Sequence, residues 1–211
     1  MANESRVHAR SGRDNRPSMQ ARARRTRDAI LDVASVQFDQ VGYAETSINT
    51  IVAGSSLTKG AIYFHFSSKA AIALCLVDTW GHVLQHTIAA TSHVETSATE
   101  RIRVIFSDLA RLVVDDRRLR AGMKLTLEPS VDASTSFNRW VDAVGELVEL
   151  AVVAGELEDL PRNQRLAWNL CSAIAGIVQT STIAYGEIDL VIHIDDLIAA
   201  HLSSVRNSAL L

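Results

Sequence analysis

The sequence predicts an all-α protein, and three observations support this prediction. Only three of the 211 residues are Pro and 5% are aromatic, whereas 47% are hydrophobic, which favours packed aliphatic helices over a β-sandwich. Apolar residues recur at intervals of three and four through most of the chain. No stretch reaches the roughly 18 uninterrupted apolar residues of a membrane span. We therefore expect helices that pack on one another and bury an additional interface.

The charge is divided unevenly along the chain. Residues 1–69 carry ten basic and six acidic residues, a net charge of +4, whereas residues 70–211 carry eleven basic and eighteen acidic ones, a net charge of −7. This asymmetry predicts a polyanionic partner for the N-terminal part only. Residues 1–20 are polar, Arg-rich and aperiodic, which predicts a disordered basic arm. Such an arm is either a solvated tail or a source of non-specific attraction to phosphates.

The first predicted helix covers residues 22–41. Its apolar residues, which fall on one helical face, are Ile30, Leu31, Ala34, Phe38 and Val41. Gly42 follows them directly, and glycine is the residue type that most often ends a helix.

Two short helices and a long one are predicted to follow. Their expected N-caps are, in order, Thr46 or Ser47, Thr58, and Ser67 or Ser68. The apolar residues of the two short helices are Ile48, Ile51 and Val52, then Ile62, Tyr63 and Phe66. Gly54-Ser55-Ser56 separates the short helices, and the long helix runs to about Ala90. Two short helices joined by a tight turn predict a helix-turn-helix domain at residues 21–69.

In a helix-turn-helix, the first residues of the second short helix face DNA bases. Here these residues are Thr58, Lys59 and Gly60. Glycine within a helix costs about 1 kcal/mol relative to Ala, and close approach of DNA would explain its presence. Lys69 opposes the dipole of the long helix that it begins, and a bound phosphate would relieve this conflict. The alternative for Lys69 is an ordinary solvated lysine.

A signature extends over the 44 residues from Thr26 to Lys69. It consists of Thr26-Arg27, Ile30-Leu31, Phe38, Gly42-Tyr43, Thr46, Ile51, the run TKGAIYFHF at residues 58–66, and Ser68-Lys69. These residues resemble the DNA-binding domain of TetR-family regulators, and the run is similar to the γ-butyrolactone (autoregulator) receptor branch of actinomycetes. Ser56 replaces the usual turn glycine, and Ala70 replaces the usual Glu.

The resemblance implies roles for several residues. Lys59 corresponds to the lysine that contacts bases, beside Gly60. The positions that correspond to phosphate contacts are Thr46, Thr58, Tyr63, His65 and Lys69. Packing within the domain is the alternative role for Tyr63 and His65.

The remainder, residues 70–211, is predicted to be a helical ligand-binding and dimerisation domain. Beyond the long helix, its predicted helices lie at about 100–115, 118–127, 134–155, 162–185 and 189–206. Residues 120–125 and 154–157, together with Trp140, also resemble the ligand domain of the butyrolactone receptors. The resemblance implies that Trp140 lies over a ligand pocket. Phe137 shares its helix face and Thr126 could offer a hydroxyl, while ordinary core packing is the alternative for all three.

The 162–185 segment is apolar on two faces, which predicts that one face contacts a partner. One stripe contains Leu166, Leu170, Ile174, Ile177 and Val178, and the other contains Trp168, Cys171, Ala175 and Gln179. The family resemblance implies that the last two helices form a four-helix dimer interface.

Other classes of function are disfavoured. Nucleotide-binding, nucleophile-elbow and zinc-protease motifs do not occur, so we expect no enzyme and no cofactor. His82 and His86 lie one helical turn apart, with His93 seven residues further on, but we expect no metal site there. Cys75 and Cys171 are expected to be reduced thiols. No apolar segment follows the N-terminal arginines, which predicts a cytoplasmic protein without a secretory signal.

The sequence therefore predicts a homodimeric, ligand-responsive repressor that binds a pseudo-palindromic DNA operator. Its inducer is expected to be a small γ-butyrolactone-like molecule. A repressor of the same fold that senses a drug, an antibiotic or another metabolite is the first alternative. A helical scaffold dimer without DNA binding is the second.

Overall fold

A computed structural model describes residues 16–93, 95–181 and 189–205, and the elements in these ranges are helices, which confirms the all-α prediction. The α-helices are α1 (Arg16–Gln40), α2 (Ile48–Ala53), α3 (Lys59–His65), α4 (Lys69–Ala90), α5 (Ala98–Asp115), α6 (Arg117–Leu125), α7 (Ser134–Val153), α8 (Leu166–Thr180) and α9 (Leu190–Val205). Short 3₁₀ turns lie at Thr91–His93 and Asn163–Arg165.

The start of α1 differs from the prediction. Residues 16–20, expected to belong to a disordered arm, form the first part of this helix. Pro17 lies in the first turn, where its missing N–H costs no helical hydrogen bond. Residues 1–15 of the predicted arm lie outside the described residues. At the other end, Gly42 has a φ of 94° and its N–H donates to the Gln37 carbonyl at 3.2 Å, so it ends α1 as predicted.

The predicted C-terminal helices are present with shifted ends. The largest shift concerns the 162–185 segment, where residues 163–165 form a 3₁₀ turn and α8 covers only 166–180. Residues 182–188 lie outside the description. The other four helices agree with the sequence-based bounds to within a few residues.

Buried apolar side chains form two clusters that meet along α4. The N-terminal cluster joins the inner faces of α1, α2 and α3 to the first half of α4 and the end of α6. The C-terminal cluster contains the remaining core of α4 to α9, including Trp80 and Trp140. Leu76 of α4 belongs to the first cluster and Trp80, one turn later, to the second. A displacement of α4 would therefore disturb both clusters.

The crossing of α6 with α4 depends on Gly122. A Cβ atom at Gly122 would lie 2.4 Å from the Leu76 carbonyl oxygen and 3.0 Å from Trp80 Cβ. Backbone atoms cannot give way as flexible side chains do, so only glycine permits this distance between the two helices.

α6 is also tied to α1 by ion pairs. The carboxylate of Asp39, 2% exposed, accepts hydrogen bonds from Arg120 Nε and Nη2 at 3.0 and 2.9 Å from Oδ2 and lies 2.9 Å from Lys124 Nζ. Arg117 approaches it at 3.9 Å. We call Asp39, Arg117, Arg120 and Lys124 the Asp39 cluster. The Asp39 cluster connects the C-terminal end of α1 to α6.

The surroundings of Asp39 lower the pKa of its carboxyl group. Burial alone would raise this pKa, but hydrogen bonds from Arg120 and Lys124 and the charges of both outweigh it. Asp39 therefore remains a carboxylate to a lower pH in the folded chain than in the unfolded chain.

The Ala154–Leu157 motif has a structural role in the C-terminal region. Gly155 turns the chain after α7 with a φ of 74°, which only glycine adopts readily. The Glu156 carboxylate then accepts hydrogen bonds from the Ala98 and Thr99 N–H groups at 2.9 and 2.8 Å. These bonds satisfy the free donors at the start of α5 and join it to the end of α7.

Neither cysteine forms a disulfide. Cys171 is buried and burial raises the pKa of its thiol, while Cys75 is half-buried between α1 and α4. Among the described residues, no single helix is long and apolar enough to cross a membrane, although α3 and α4, bent by 53°, meet the length and composition criteria as a pair.

Candidate nucleic-acid interface and aromatic core

Hydroxyl groups organise the helix-turn-helix locally. Ser47 caps α2 in a reciprocal capping box with Thr50, and Thr58 caps α3 by accepting from the Ala61 N–H at 3.2 Å. In the turn, Ser55 Oγ accepts from the Leu57 N–H at 3.2 Å. Ser56 fits without left-handed backbone, because no non-glycine residue in the described ranges has a positive φ. The turn therefore forms without the usual glycine.

α3 has a buried face and an exposed face. Ile62 is completely buried and Phe66, just after the helix, is 5% exposed, so these two residues attach α3 to the N-terminal cluster. The side chains that point to solvent are Lys59, Tyr63 and Phe64, and Gly60 and the capping Thr58 are exposed beside them. Thr58, Lys59, Gly60, Tyr63 and Phe64 together are called the α3 surface below.

Gly60 is not required by packing within the chain. A Cβ atom built on it would have Thr58 Oγ1 as its nearest neighbour, at 3.9 Å, which is an ordinary contact. Its helix-propensity cost of about 1 kcal/mol relative to Ala is therefore not offset by any close contact inside the protein. The bare backbone at this position faces solvent in the middle of the α3 surface.

Thr46 and Lys69 both make hydrogen bonds within the chain. Thr46 is 2% exposed and its hydroxyl donates to the Gly42 carbonyl at 2.7 Å. Lys69 Nζ donates to the Tyr43 and Thr46 carbonyls at 2.7 and 2.8 Å and lies 4.0 Å from the centre of the Tyr43 ring. Both side chains hold the loop between α1 and α2, and their expected contacts with phosphates remain a prediction.

His65 lies between the two faces of α3. It is half-buried, and its ring meets the ring of Phe64 edge to face at 5.1 Å. Tyr63 is 49% exposed, so the alternative of core packing does not apply to it.

Two features were not predicted from the sequence. Phe64 is 81% exposed, and its spacing of two residues from both Ile62 and Phe66 could have indicated this outward position. The Asp39 cluster could have been suspected from four basic residues at 117, 118, 120 and 124 in a single short helix. Arg118, the one of these residues that is not in the Asp39 cluster, pairs instead with Asp32 of α1, with 2.7 Å between Nε and Oδ1.

The three predicted ligand residues do not surround an open pocket. Trp140 is fully buried, with the rings of Trp80, Phe106 and Phe137 at 5.7, 6.0 and 5.9 Å. Two grooves beside α7, one against α4 and one before α8, are lined by other residues, and a third, open cleft at residues 126–134 is lined by Thr126 but not by Trp140 or Phe137. Thr126 is 5% exposed at the end of α6 and donates its hydroxyl to the Met123 carbonyl at 2.7 Å. Trp140 and Phe137 thus lie in a closed aromatic core, and their contact with a ligand remains a prediction.

This aromatic core contains two polar groups without partners. The indole N–H groups of Trp80 and Trp140 are both buried and donate to no acceptor within the described residues. An unsatisfied buried donor costs about 1–3 kcal/mol, so two such donors in one cluster lower the stability of the folded chain.

No group of three potential metal ligands occurs within residues 16–93, 95–181 and 189–205. His82 and His86 are exposed on α4. The side chain of His93 lies outside the described part of the chain.

Comparisons with known proteins identify the family. Residues 30–75 match the model for bacterial regulatory proteins of the tetR family. The A-factor receptor protein of Streptomyces griseus is 32% identical over 139 residues, which are 65% of this chain and about half (48%) of that protein. A solved γ-butyrolactone receptor, described as ArpA-like, shares the fold with a TM-score of 0.70 at 23% identity, over 87% of this chain and all of its own.

A second solved structure has the higher sequence identity. Full-length TylP, a TetR regulator from Streptomyces fradiae, is 31% identical, with 90% of each chain covered and a TM-score of 0.63. Because this identity extends over nine tenths of both chains and the family model matches the helix-turn-helix, the chain belongs to the tetR family of bacterial regulatory proteins.

Proposed function

We propose that this chain is a cytoplasmic, homodimeric transcriptional repressor. It binds a pseudo-palindromic DNA operator through the α3 surface of each protomer, with half-sites about one helical turn apart. A small γ-butyrolactone-like molecule, bound in the C-terminal region, releases it from DNA. Among the residues of the α3 surface, Lys59 contacts base edges, and Thr58 and Tyr63 contact phosphates.

The observation that carries the DNA-binding proposal is the α3 surface itself. A cation, two hydroxyls and a bare glycine backbone are exposed together on one short helix. The glycine lets a base edge approach the helix axis closely. The net charge of +4 on residues 1–69 complements the phosphates of a duplex.

The N-terminal arginines add to this attraction. Arg22, Arg24 and Arg25 are exposed on α1 beyond the packed part of the helix-turn-helix. Three more arginines lie in the preceding residues 1–15. We propose that they contribute non-specific phosphate contacts, which raise affinity and salt dependence without selecting a sequence.

Selection of duplexes from a random pool tests the proposal. Wild-type protein should enrich a pseudo-palindrome whose two halves are separated by about one helical turn. Both repressor hypotheses predict this enrichment. Failure to enrich any sequence at low salt would favour the scaffold dimer instead.

The proposed dimer interface uses the exposed faces of α8 and α9. Trp168 and Ile192 are 52% and 56% exposed on these helices, which is unusual for large apolar side chains. Ala175, on the second apolar stripe of this segment, is 2% exposed in the core of the chain. Ala173, which is half-exposed on α8, is the better probe.

Ala173→Glu should therefore yield monomers in sedimentation, because an unpaired carboxylate at an apolar interface costs several kcal/mol. The matched control is Ala90→Glu at the exposed end of α4, which should remain dimeric. A dimeric Ala173→Glu protein would move the interface elsewhere.

The unpartnered indoles support the ligand proposal. Trp80 and Trp140 can each donate one hydrogen bond, and a lactone offers carbonyl and ring oxygens that accept. Because both rings are completely packed, a ligand must open the aromatic core to reach them. Drugs or antibiotics with carbonyl groups meet the same donors, so a panel of γ-butyrolactones with different alkyl chains, tested beside such compounds, separates the two repressor hypotheses.

Release from DNA follows from the position of Trp80. Trp80 and Leu76 lie one turn apart on α4 and belong to the two different core clusters. A ligand that displaces Trp80 would shift α4 against α6, and hence the spacing of the two α3 surfaces. A coupling free energy of about 1–3 kcal/mol per site is typical of such linkage.

A further inference from the structure

Phe64 is an apolar side chain exposed where the fold does not need it. It is 81% exposed on α3, and its only ring contact within the described residues is with His65 at 5.1 Å. Burial of a Phe side chain is favourable, and this contribution is lost to the free protein. A binding partner that covers the ring would recover it.

The surroundings of Phe64 indicate which partner this is. Gly60 lies one helical turn before Phe64 on the same face, so the ring stands beside bare backbone with open space above it. Lys59 and Tyr63 form the adjacent row of the same helix and are also exposed. An apolar ring bordered by a cation and a phenol suits a polyanion that carries a local apolar group.

Thymine provides such a group in the major groove of DNA. Its C5 methyl is the one apolar substituent that the base edges present there, and aromatic or aliphatic side chains contact it. Phe64 has neither a donor nor an acceptor, so it can distinguish bases only through such a contact.

We propose that Phe64 contacts a thymine methyl in each half-site of the operator and thereby specifies T at that position. The proposal rests on the proposed function, because it requires that α3 enters the major groove. Phe64 would then be a second determinant of operator specificity beside Lys59. Lys59 reads polar groups of the bases, whereas Phe64 reads an apolar one.

The test replaces each thymine of the selected operator in turn by deoxyuridine, which removes only the methyl group. Wild-type affinity should fall about fourfold for each half-site changed at one particular thymine, the effect of one buried methyl group. Phe64→Ala should bind the unmodified operator more weakly and show no further loss at that thymine. Phe64→Leu, which keeps an apolar side chain, should retain part of the discrimination.

Tyr63→Phe is the matched control, because it removes only a hydroxyl from the same surface. It should weaken binding while the penalty for deoxyuridine remains fourfold. Thermal melts of each variant establish that the exposed substitutions leave the fold intact.

Two outcomes overturn the proposal alone: wild-type protein that is insensitive to deoxyuridine at every thymine of a selected operator, or a Phe64→Ala protein that keeps the same penalty. Failure of wild-type protein to select any sequence would instead overturn the proposed function, and this proposal with it.

Discussion

Gly60 on α3 and Gly122 on α6 are both helical glycines, but their surroundings are opposite. A Cβ atom at Gly122 would meet the Leu76 carbonyl oxygen at 2.4 Å, whereas one at Gly60 would meet nothing closer than 3.9 Å. Gly122 is required by a close contact inside the protein. No contact inside the protein requires Gly60, so we infer that a partner approaching from outside explains its presence.

The same contrast separates the α3 surface from the aromatic core. The α3 surface is exposed and formed before any partner binds, whereas Trp80 and Trp140 are buried with unpartnered N–H groups. A preformed surface favours rapid association with DNA, since no rearrangement precedes contact. A closed ligand region instead makes ligand binding inseparable from a change in packing, as a switch requires.

The largest expected effect on stability is at the Asp39 cluster. Asp39→Ala leaves Arg120 and Lys124 without their buried carboxylate and should lower the free energy of unfolding by about 3–5 kcal/mol. Denaturant titration measures this difference. A loss below about 1 kcal/mol would mean that the connection of α1 to α6 does not depend on these ion pairs.

The Asp39 cluster also predicts a pH dependence. Folding lowers the pKa of Asp39, so the ionised carboxylate stabilises the folded chain. This contribution to the free energy of unfolding is complete above the unfolded-state pKa of 3.8 and is lost as the pH falls through the folded-state pKa. The stability difference between wild type and Asp39→Ala should therefore be constant near neutral pH and shrink in acid. A difference that grew below pH 4 would have the wrong sign.

The next largest effect is at Gly122. Gly122→Ala forces α6 away from α4 and should destabilise the protein by about 1–3 kcal/mol. Gly81→Ala is the matched control, because Gly81 lies on α4 with no atom within 4 Å of a built Cβ. The control should be stabilised by up to about 1 kcal/mol through helix propensity. Equal melting temperatures of the two variants would mean that the crossing of α4 and α6 does not require glycine at position 122.

Gly60→Ala should separate stability from DNA binding. It is expected to stabilise the protein by up to about 1 kcal/mol, since the new methyl group points into open space. The same methyl group should obstruct the approach of DNA and weaken operator binding about tenfold, because a misplaced contact of about 1.4 kcal/mol corresponds to that factor. Unchanged operator affinity would show that DNA does not approach the helix at this position.

Substitutions in the aromatic core combine two opposing effects on stability. Trp140→Phe and Trp80→Phe each remove an unpartnered N–H, which is stabilising, and some core volume, which is destabilising. Because these effects oppose each other, the free energy of unfolding should change by less than about 1.5 kcal/mol. Operator binding should persist, and release by the γ-butyrolactone that is active on wild type should require more ligand. Phe106→Leu, which alters the same core without removing a donor, should retain a normal response.

Local chemistry made most of the fold predictable. Ser47, Thr58 and Ser68 cap α2, α3 and α4 as expected, because a cap needs only a hydroxyl two or three residues before a free N–H. The buried residues of α7 recur at intervals of three and four, so short-range periodicity is enough to identify its buried face.

Long-range partners were not predictable in this way. The carbonyls that bind Lys69 lie 26 and 23 residues before it, so an argument from its own helix could not find them. Trp140 posed a different problem, because a core and a pocket require the same apolar stripe. Only the surrounding rings distinguish the two.

The account depends most directly on sequence recognition by Lys59. The decisive measurement compares Lys59→Ala with wild type in equilibrium binding to the selected palindrome and to a scrambled duplex of the same composition. We expect a loss of about 1–3 kcal/mol on the palindrome, a relaxed preference at one position of each half-site, and little change on the scrambled duplex. An equal loss on both duplexes would make Lys59 a phosphate contact and contradict the proposed recognition by α3.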